Sequence, residues 1–349
     1  MKKIKSTITL VLTLLLTLTF LPAINTQAAV KSTVIDGVTY TMNYDDEFTA
    51  TLSENVTPQK EIHVLSKIAL NGKTYKVSNF SFNTHDYEDW VKEVNYKDSW
   101  YKIKPGSWQA VLQKMTFDSG IVDVDVDCVN FPNLEEVSFD TERSNPAFYN
   151  CPKLKHIYMG KNNRFTCFVQ KCPNVKITVD SSNPRYKVIG KDFYSKDGKK
   201  LIQVSSTKSK YKVRKGVTRI AIGAFERNDY IKSIILPDTV KTVDVQAFSM
   251  MKNLSYVRLS RSMKETPYSL FARSKKLKTI TYPANIKKIN GYFGGADYCG
   301  LKKIYINTKS LKASGMRSIP KSCRIYVKNK SVKNRVRKNG FRGKIIIRK

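Results

Sequence analysis

One hydrophobic pattern recurs through the middle and second half of the chain. Each copy has an aliphatic residue, a second hydrophobic residue three positions later and a third two positions after that. The clearest copies begin at Ile231, Leu254, Leu277 and Leu301, so successive copies lie 23, 23 and 24 residues apart. The last two hydrophobic residues of a copy can face one side of a β-strand, because side chains alternate along a strand. A repeat of this length predicts a solenoid of stacked coils.

A second motif lies between these strands. It places two β-branched residues three positions apart and a phenylalanine five positions further on, as in residues 217–225 and 240–248. Each coil therefore supplies both sides of a thin core but cannot close its own ends, so neighbouring coils and terminal caps must stabilise it.

These two motifs resemble the BspA-type branch of the bacterial leucine-rich repeats, whose unit combines proline, valine, isoleucine, alanine-phenylalanine, cysteine, leucine and isoleucine. The resemblance covers most of the chain and is strongest from Val217 to Ile306. It implies a mainly β leucine-rich-repeat solenoid of stacked parallel strands, with about 21–24 residues per repeat. It also implies a secreted or surface-bound binding protein without catalytic activity.

The predicted organisation has a signal peptide at 1–28, an N-terminal β cap at 29–82, the solenoid at 83–318 and a basic C-terminal cap at 319–349. Asp36-Gly37 and Asn71-Gly72 predict hairpin turns in the N-terminal cap. Earlier and less regular copies of the repeat begin at Val91, Leu112, Leu134, Leu154 and Val175.

Two segments depart from the repeat. Between about 180 and 206, Asp197-Gly198 with apolar flanks predicts a β-hairpin insertion. In the C-terminal cap we expect a strand ending at Val327, a helix with Ser331 as its N-cap and Gly340 just past its end, and a closing strand over 343–347.

The N-terminus predicts export. Three lysines precede an apolar run over 8–21, which is followed by a small-residue cleavage site at Thr26-Gln27-Ala28. No later stretch approaches the roughly 20 apolar residues of a membrane span. We therefore expect a secreted protein with no transmembrane segment after signal removal, with noncovalent association with a cell wall as the alternative.

The charge of the chain is strongly positive. Its net charge of +34 becomes +31 when the three signal lysines are removed, and the 52 residues after Asp297 contain 17 lysines and arginines but no carboxylate. Such an excess favours anionic partners.

The residues that carry common enzyme chemistry are sparse, and we expect no catalytic site, cofactor or metal. None of the three histidines has the spacing of a helical zinc site. Cys151 and His156 form the one conceivable nucleophile and base pair, but both fit the repeat as structural residues. Asp123, Asp125 and Asp127 alternate with valines, which predicts the wet face of a strand rather than a calcium loop.

The cysteines leave two alternatives open. In repeat phase, Cys151 and Cys172 fit buried free thiols at a coil corner. Disulfides between neighbouring coils, or between Cys167 and Cys172, remain the other possibility, and the sequence does not assign the state of Cys128, Cys299 or Cys323. The aromatic segment containing Trp90, Trp100, Tyr101 and Trp108 is interpreted as solenoid packing, with sugar stacking as the alternative.

The variable positions of the repeat strands should line up into one exposed, cationic and tyrosine-containing face. The ligand-binding candidates on it are Tyr158, Lys232, Tyr256, Arg258, Lys278, Lys302, Lys303, Tyr305, Arg324, Tyr326 and Lys328. Such a face fits an extracellular protein or an anionic glycan or teichoic acid; nucleic acid fits an exported protein less well.

Two alternatives to specific binding follow from the same residues. The protein can be a structural, wall-associated component that its cationic C-terminus tethers, or its lysines can be ordinary surface residues that select nothing. An enzyme with an unrecognised site is the least favoured hypothesis. The sequence predicts no oligomeric state.

Overall fold

The computed structural model describes residues 32–43, 47–83, 106–144, 146–290 and 300–348. Within these ranges the chain is a mainly β solenoid of parallel strands, which confirms the predicted fold class. The predicted signal peptide, the repeat copy beginning at Val91 and Cys299 lie outside the described residues. No helix in the described ranges has both the length and the apolar character of a membrane span.

The strands of the described residues are β1 (Ser32–Ile35), β2 (Val38–Met42), β3 (Phe48–Thr51), β4 (Glu61–Val64), β5 (Lys67–Leu70), β6 (Lys73–Asn83), β7 (Lys114–Phe117), β8 (Asp123–Val129), β9 (Glu136–Phe139), β10 (Arg143–Ser144), β11 (Ala147–Tyr149), β12 (His156–Met159), β13 (Phe168–Gln170), β14 (Lys176–Val179), β15 (Tyr186–Ile189), β16 (Asp192–Ser195), β17 (Lys200–Gln203), β18 (Lys210–Lys212), β19 (Arg219–Ile220), β20 (Ser233–Ile235), β21 (Thr242–Val243), β22 (Tyr256–Arg258), β23 (Glu265–Thr266), β24 (Thr279–Tyr282), β25 (Lys288–Asn290), β26 (Lys303–Ile306), β27 (Lys312–Ser314), β28 (Arg324–Val327) and β29 (Lys344–Ile347). The helices are α1 (Trp108–Val111), α2 (Lys330–Lys338) and a 3-10 turn at Met316–Ser318.

The repeat strands form two parallel ladders. The first ladder contains β4, β7, β9, β12 and β14, and the second contains β18, β20, β22, β24, β26, β28 and β29. Equivalent hydrophobic residues pair across neighbouring strands, as Ile280 does with Ile304 and Ile304 with Ile325. Because these residues are buried, each coil covers the core of the next.

The start of the first ladder differs from the sequence interpretation. Strand β4 pairs directly with β7, with Ile62 opposite Met115, although the sequence placed residues 61–64 in the N-terminal cap. Ile62 and Val64 supply only the last two hydrophobic positions of the repeat pattern, and Gln59 occupies the first. The complete three-residue pattern therefore does not mark this strand.

The opposite wall of the core is closed by short strands and a row of phenylalanines. Strand β19 pairs with β21, and β25 lies between β23 and β27. At the following corner the ring centroids of Phe225 and Phe248 lie 5.2 Å apart, and those of Phe248 and Phe271 lie 5.6 Å apart. Tyr211 packs edge-on against Phe225 at 5.2 Å and ends this row.

Each coil turns with residues in the left-handed backbone conformation, most of which are not glycine. One such residue stands four positions before the first hydrophobic residue of a repeat copy: Asn130, Asn150, Lys171, Arg227, Met250 and Arg273, with φ between 52° and 59°. A second set lies before the buried phenylalanines at Gly223, Gln246 and Ser269. The recurrence of these torsions at fixed phase shows that stacking imposes them, since a side chain there costs about 1–2 kcal/mol.

The insertion is a three-stranded meander. The predicted hairpin is formed by β16 and β17 around Asp197-Gly198, and β15 pairs with β16 on its other side. Strand β16 separates two hydrophobic cores: Phe193 packs with the residues before it, and Tyr194 packs with those after it. The meander therefore covers the open end of both halves of the solenoid.

The caps at the two ends of the chain are built differently. At the N-terminus, β1, β2 and β3 form an antiparallel meander whose last strand pairs with β6. At the C-terminus, α2 buries Val332 and Val336, and β29 pairs with β28. The helix N-cap is Asn329, whose side chain accepts a hydrogen bond from the Val332 amide, so the predicted N-cap at Ser331 is wrong.

Replacing Phe248 by alanine should lower the free energy of unfolding by about 3–5 kcal/mol, because the ring is fully buried between two other rings. Urea denaturation followed by circular dichroism measures the change. The control is Tyr268→Ala in the next coil, where the side chain is 54% exposed; its effect should stay below about 1 kcal/mol. Equal effects of the two substitutions would contradict the assigned packing.

Replacing Gln246 by valine should destabilise the fold by about 1–2 kcal/mol, because a β-branched residue must then adopt the φ of 56° found here. Gln246→Gly should change stability by less than about 1 kcal/mol, since glycine adopts this conformation without strain. Gln246 is exposed, so neither substitution removes core packing. In the same denaturation experiment the glycine variant should have a higher free energy of unfolding than the valine variant. The reverse order would show that the backbone at this corner relaxes.

Candidate ligand-binding ribbon

The outward-facing side chains of the second ladder form one continuous surface, which we call the basic ribbon. They alternate along each strand with buried residues such as Ile234, Val257 and Ile304. The members of the basic ribbon are Lys210, Lys212, Ser233, Ile235, Tyr256, Arg258, Thr279, Thr281, Lys303, Tyr305, Arg324, Tyr326, Lys344 and Ile346. Strand register aligns them into two columns.

The basic ribbon carries cations and no carboxylate. In the first ladder, by contrast, the equivalent column contains Glu61, Lys114, Glu136 and Lys176, and Lys114 Nζ lies 3.5 Å from Glu136 Oε1. Charges on the first ladder therefore neutralise one another. The charge of the two ladders differs because acidic residues occupy outward positions on the first ladder and none on the described strands of the second.

Three further cations flank the basic ribbon. Lys232, Lys278 and Lys302 each stand one residue before a ladder strand, and all three are exposed. The Lys302 amide donates to the Lys278 carbonyl at 2.8 Å, which fixes the spacing of the two residues. Among the described residues, no ion pair joins these lysines to a carboxylate.

Asp238, three residues after the end of β20, already has a cationic partner. Asp238 accepts from Arg261 Nε at 2.8 Å and from Arg261 Nη2 at 2.5 Å. These hydrogen bonds hold the pKa of Asp238 below its usual value. Arg258 is exposed and makes no hydrogen bond with Asp238 among the described residues, although its charge also helps to lower the pKa of Asp238.

The C-terminal end of the basic ribbon combines stacked rings with a row of cations. Lys303 pairs with Arg324, and Arg324 pairs with Lys344, so these three side chains occupy successive strands. In the neighbouring column the rings of Tyr305 and Tyr326 stack with centroids 4.7 Å apart. This end presents the densest positive charge of the ladder.

A further residue, Arg348, covers this ring stack. Its guanidinium carbon lies 5.0 Å from the Tyr305 ring centroid, and its Nη2 donates to Asn307 Oδ1 at 2.5 Å. A cation over an aromatic face is attracted to the ring, which holds the terminal strand against the ladder.

The structure brings ten of the eleven predicted residues together on the second ladder and its flanks, with Lys328 just past the end of β28. Tyr158 instead lies on β12 of the first ladder, where its ring packs edge-on against His156 at 5.9 Å. The charged ribbon residues that the sequence analysis did not identify are Lys210, Lys212 and Lys344, together with Arg348 beside them. The sequence analysis did not identify β18 because its buried residue is Tyr211. Arg348 lies two positions after Ile346, so it continues the strand alternation of β29.

This arrangement can hold a linear polyanion. Neighbouring strands are about 4.8 Å apart, so cations on successive strands form a charged row parallel to the solenoid axis. Exposed like charges at such spacing repel weakly in water and are screened by salt. A ligand with regularly spaced negative groups relieves this repulsion along the whole row.

The conceivable cysteine nucleophile has the wrong environment. Cys151 is fully buried, and its hydrogen bond with Cys172, together with burial, raises the pKa of its thiol. His156 Nε2 lies 2.8 Å from Thr178 Oγ1. The Cys151 thiol and the His156 imidazole thus interact with different residues, Cys172 and Thr178.

Cys128, Cys151, Cys167, Cys172 and Cys323 are all buried, and no disulfide joins any two of these described cysteines. In Cys128 and Cys167, burial is the first cause of a raised thiol pKa. Of the two alternatives left by the sequence, this arrangement corresponds to free thiols at the coil corners.

The other candidate residues take structural places. Val124 and Val126 point into the core, so the aspartates between them lie on the outer face of β8. Over the described ranges, no cluster of three or more histidine, cysteine or acidic residues could hold a metal ion. Trp108 is buried and donates its indole N–H to the Ser53 carbonyl at 3.0 Å, whereas Trp90, Trp100 and Tyr101 lie outside the described residues.

Comparison with known proteins gives one family and several solved structures. The chain matches the sequence profile of the BspA type Leucine rich repeat region, in six copies, over residues 75–196 and 203–319. It is similar to the pneumococcal vaccine antigen PcpA, with 16% identity, a TM-score of 0.45 and coverage of 91% of this chain and 99% of that one.

Two other solved structures are similar at the same level of identity. A leucine rich cell surface protein from Faecalibacterium prausnitzii A2-165 shares 15% identity, with a TM-score of 0.35 over 92% of this chain and 96% of that one. A leucine-rich repeat protein from Eubacterium ventriosum ATCC 27560 shares 15% identity, with a TM-score of 0.37 over 90% and 95% of the two chains. No curated protein matches the chain.

In a Cys299→Ser variant, the remaining five thiols should resist alkylation while the protein is folded, because all five are buried. Mass spectrometry after iodoacetamide treatment should show no addition to the native protein and five additions after unfolding in urea without reductant. Fewer additions in urea would reveal a disulfide. Rapid labelling of the native protein would contradict the buried placement.

Proposed function

The chain belongs to the BspA-type leucine-rich repeat family, and from that premise we propose that it is an extracellular, non-catalytic binding protein whose basic ribbon recognises an anionic surface polymer. Membership of this family is consistent with a surface or binding role. The proposal concerns the ligand class and the face that binds it.

The observation that carries the proposal is the segregation of charge between the two ladders. Residues 207–297 contain six carboxylates, yet none of them occupies an outward position of β18, β20, β22 or β24, so composition alone does not explain the absence of acids on these strands. The first ladder does mix Glu61 and Glu136 with lysines, but the second ladder has seven successive strands without an outward carboxylate. Uncompensated repulsion along one face is what a polyanion-binding surface requires.

The geometry favours an extended ligand over a compact one. The cations follow the solenoid axis from Lys210 to Lys344 as a row on successive strands. A teichoic acid or a sulfated glycan carries negative groups along a flexible chain and can follow such a row. The tyrosines between the cations, of which Tyr256 is 52% exposed, offer rings and hydroxyl groups to the sugar or polyol parts of these polymers.

A second candidate function is a noncovalent tether to the wall through the C-terminal cap. Helix α2 has no acid in its first turn and carries Arg335, Arg337 and Lys338 in its last turn. Positive charge therefore continues from the basic ribbon onto the cap. Under this function binding would depend on total charge and not on the ribbon.

Reversing four ribbon-face charges with Arg258, Lys278, Lys302 and Lys303→Glu should weaken binding to immobilised poly(glycerol phosphate) and heparin by at least about tenfold. These four side chains are exposed, and their removal leaves the core intact. Surface plasmon resonance at about 0.05 M and about 0.5 M NaCl measures the affinity and its screening by salt. Circular dichroism of each variant verifies that it is folded.

The matched control reverses Lys241, Lys264, Lys287 and Lys312 to glutamate, which changes the net charge equally on the second row of strands, where all four lysines are exposed. It should keep affinity within about threefold of the parent chain. Equal losses in both variants would favour a tether governed by total charge. Unchanged binding by the ribbon variant would overturn the proposed site.

A further inference from the structure

The coil that contains the insertion has a shortened corner. Strand register makes Leu201 equivalent to Ile220, and Lys210 equivalent to Ser233. Thirteen residues lead from Ile220 to Ser233, but only nine lead from Leu201 to Lys210. This coil therefore lacks four residues of the corner segment that carries alanine-phenylalanine in the following coils.

The missing segment leaves a cleft of about 380 Å³. One wall is β13, the last strand on its side of the first half, and the other wall is residues 221–226 of the second half. Residues 200–204 form the floor. Because Tyr211 already packs against Phe225, the core end of the cleft is closed.

Strand β13 presents unused backbone groups to the cleft. Its Phe168 amide donates to the Pro146 carbonyl, and its Gln170 carbonyl accepts from the Asn150 amide, so both face β11. By alternation the N–H and the carbonyl of Val169 point the other way, and neither has a partner among the described residues. One strand residue thus offers a donor and an acceptor side by side.

Side chains close the edge on either side of Val169. At one end Gln203 Nε2 donates to the Cys167 carbonyl at 2.6 Å, and at the other end Gln170 Nε2 donates to the Glu226 carbonyl at 3.3 Å. The amide groups of these two glutamines thus bond backbone carbonyls that the missing corner segment would otherwise adjoin. Between them the edge is open for the length of about one residue pair.

The opposite wall is hydrogen-bonded to its neighbours. The amides of Gly223 and Phe225 donate to the next coil, at Val245 and Ala247, and the Ala224 carbonyl accepts from the Val204 amide at 2.8 Å. Residues 222–227 of this wall form turns, so β13 is the strand edge at this cleft.

The two ends of the cleft carry opposite charges. Lys200 lies at the end beside the start of β13, and Glu226 lies at the end beside Gln170. Arg227 Nε lies 3.7 Å from the Glu226 carboxyl and forms an ion pair with it, while burial raises the pKa of this carboxyl. Ile202 and the 65% exposed Ile222 supply apolar surface between these ends.

We propose that this cleft binds a short extended peptide that runs antiparallel to β13, exchanges two hydrogen bonds with Val169, and places its basic end at Glu226 and its carboxylate at Lys200. An antiparallel hydrogen-bonded pair exchanges both of its bonds between two opposed residues, which is what the open edge offers. Addition of a strand to a free edge is an established mode of peptide recognition. The antiparallel direction follows from the charges, since a parallel peptide would meet like charge at both ends.

The site does not depend on the basic ribbon, because the cleft lies on the phenylalanine corners and the ribbon lies on the ladder strands. A peptide of about five residues spans the cleft, given about 3.4 Å per residue in an antiparallel strand. Small or apolar residues at the centre would contact Ile202 and Ile222.

The probe is a pool of pentapeptides with free termini, lysine first, alanine at positions two and four, and valine, leucine or threonine at positions three and five. Binding to the full mature chain is measured by isothermal titration, and hydrogen–deuterium exchange locates it. We expect saturable binding with added protection confined to residues 166–171 and 221–226. Absence of saturable binding, or protection elsewhere, would overturn the proposal.

Two peptide changes separate strand addition from adhesion of apolar side chains. N-methylation of the central residue removes the donor to the Val169 carbonyl and should weaken binding by about tenfold or more. Amidation of the C-terminus removes the charge facing Lys200 and should weaken binding by a smaller factor. Equal affinity of the N-methylated peptide would refute backbone pairing.

Matched protein variants test the location without disturbing the core. Ile222→Trp places a large ring at the mouth of the cleft and should abolish binding. Tyr268→Trp changes an exposed residue at the same phase two coils further on and should leave affinity unchanged. Equal binding by the two variants, both verified as folded by their melting temperatures, would place the peptide elsewhere.

Discussion

A single coil of this protein cannot bury its own hydrophobic residues, and every other property of the structure depends on that constraint. Ile280, for example, is shielded only because Ile304 stands beside it on the next strand. The phenylalanine row applies the same rule at the opposite corner, where each ring lies against the ring of the following coil. Stacking also holds non-glycine residues in left-handed torsions, at a cost that an isolated coil would not sustain.

Stacking turns sequence variation into surface pattern. Because equivalent positions lie side by side, a preference for lysine, arginine or tyrosine at one phase of the repeat becomes a continuous column on the surface. The same alignment puts Lys303, Arg324 and Lys344 next to one another, so the apolar core must offset their mutual repulsion. In the first ladder Glu136 beside Lys114 avoids this cost. The two ladders thus share one backbone plan and differ in the charge that they present.

The sequence alone revealed most of the second ladder, because the spacing of Ile231, Leu254, Leu277 and Leu301 hardly varies. It revealed less where the pattern is incomplete. Strand β4 has only Ile62 and Val64 to mark it, and β18 carries tyrosine at its buried position. The cleft beside β13 could not be predicted, since the shortened corner becomes visible only when pairing shows that Leu201 is equivalent to Ile220. The helix N-cap was misplaced because Asn329 and Ser331 are both good capping residues and only the hydrogen bond to Val332 distinguishes them.

Strand β16 has a consequence for the cooperativity of the molecule. Phe193 and Tyr194 are neighbours in sequence, yet each belongs to a different hydrophobic core, because alternation sends them to opposite faces of one strand. In a uniform repeat array, unfolding spreads from coil to coil through identical interfaces. Here the meander is an internal boundary, because the interface that it forms between the two cores differs from the interface between two repeat coils. The two halves can therefore melt as separate cooperative units, so damage to the first half need not reach the basic ribbon of the second, whereas the cleft beside β13 requires both halves to be folded.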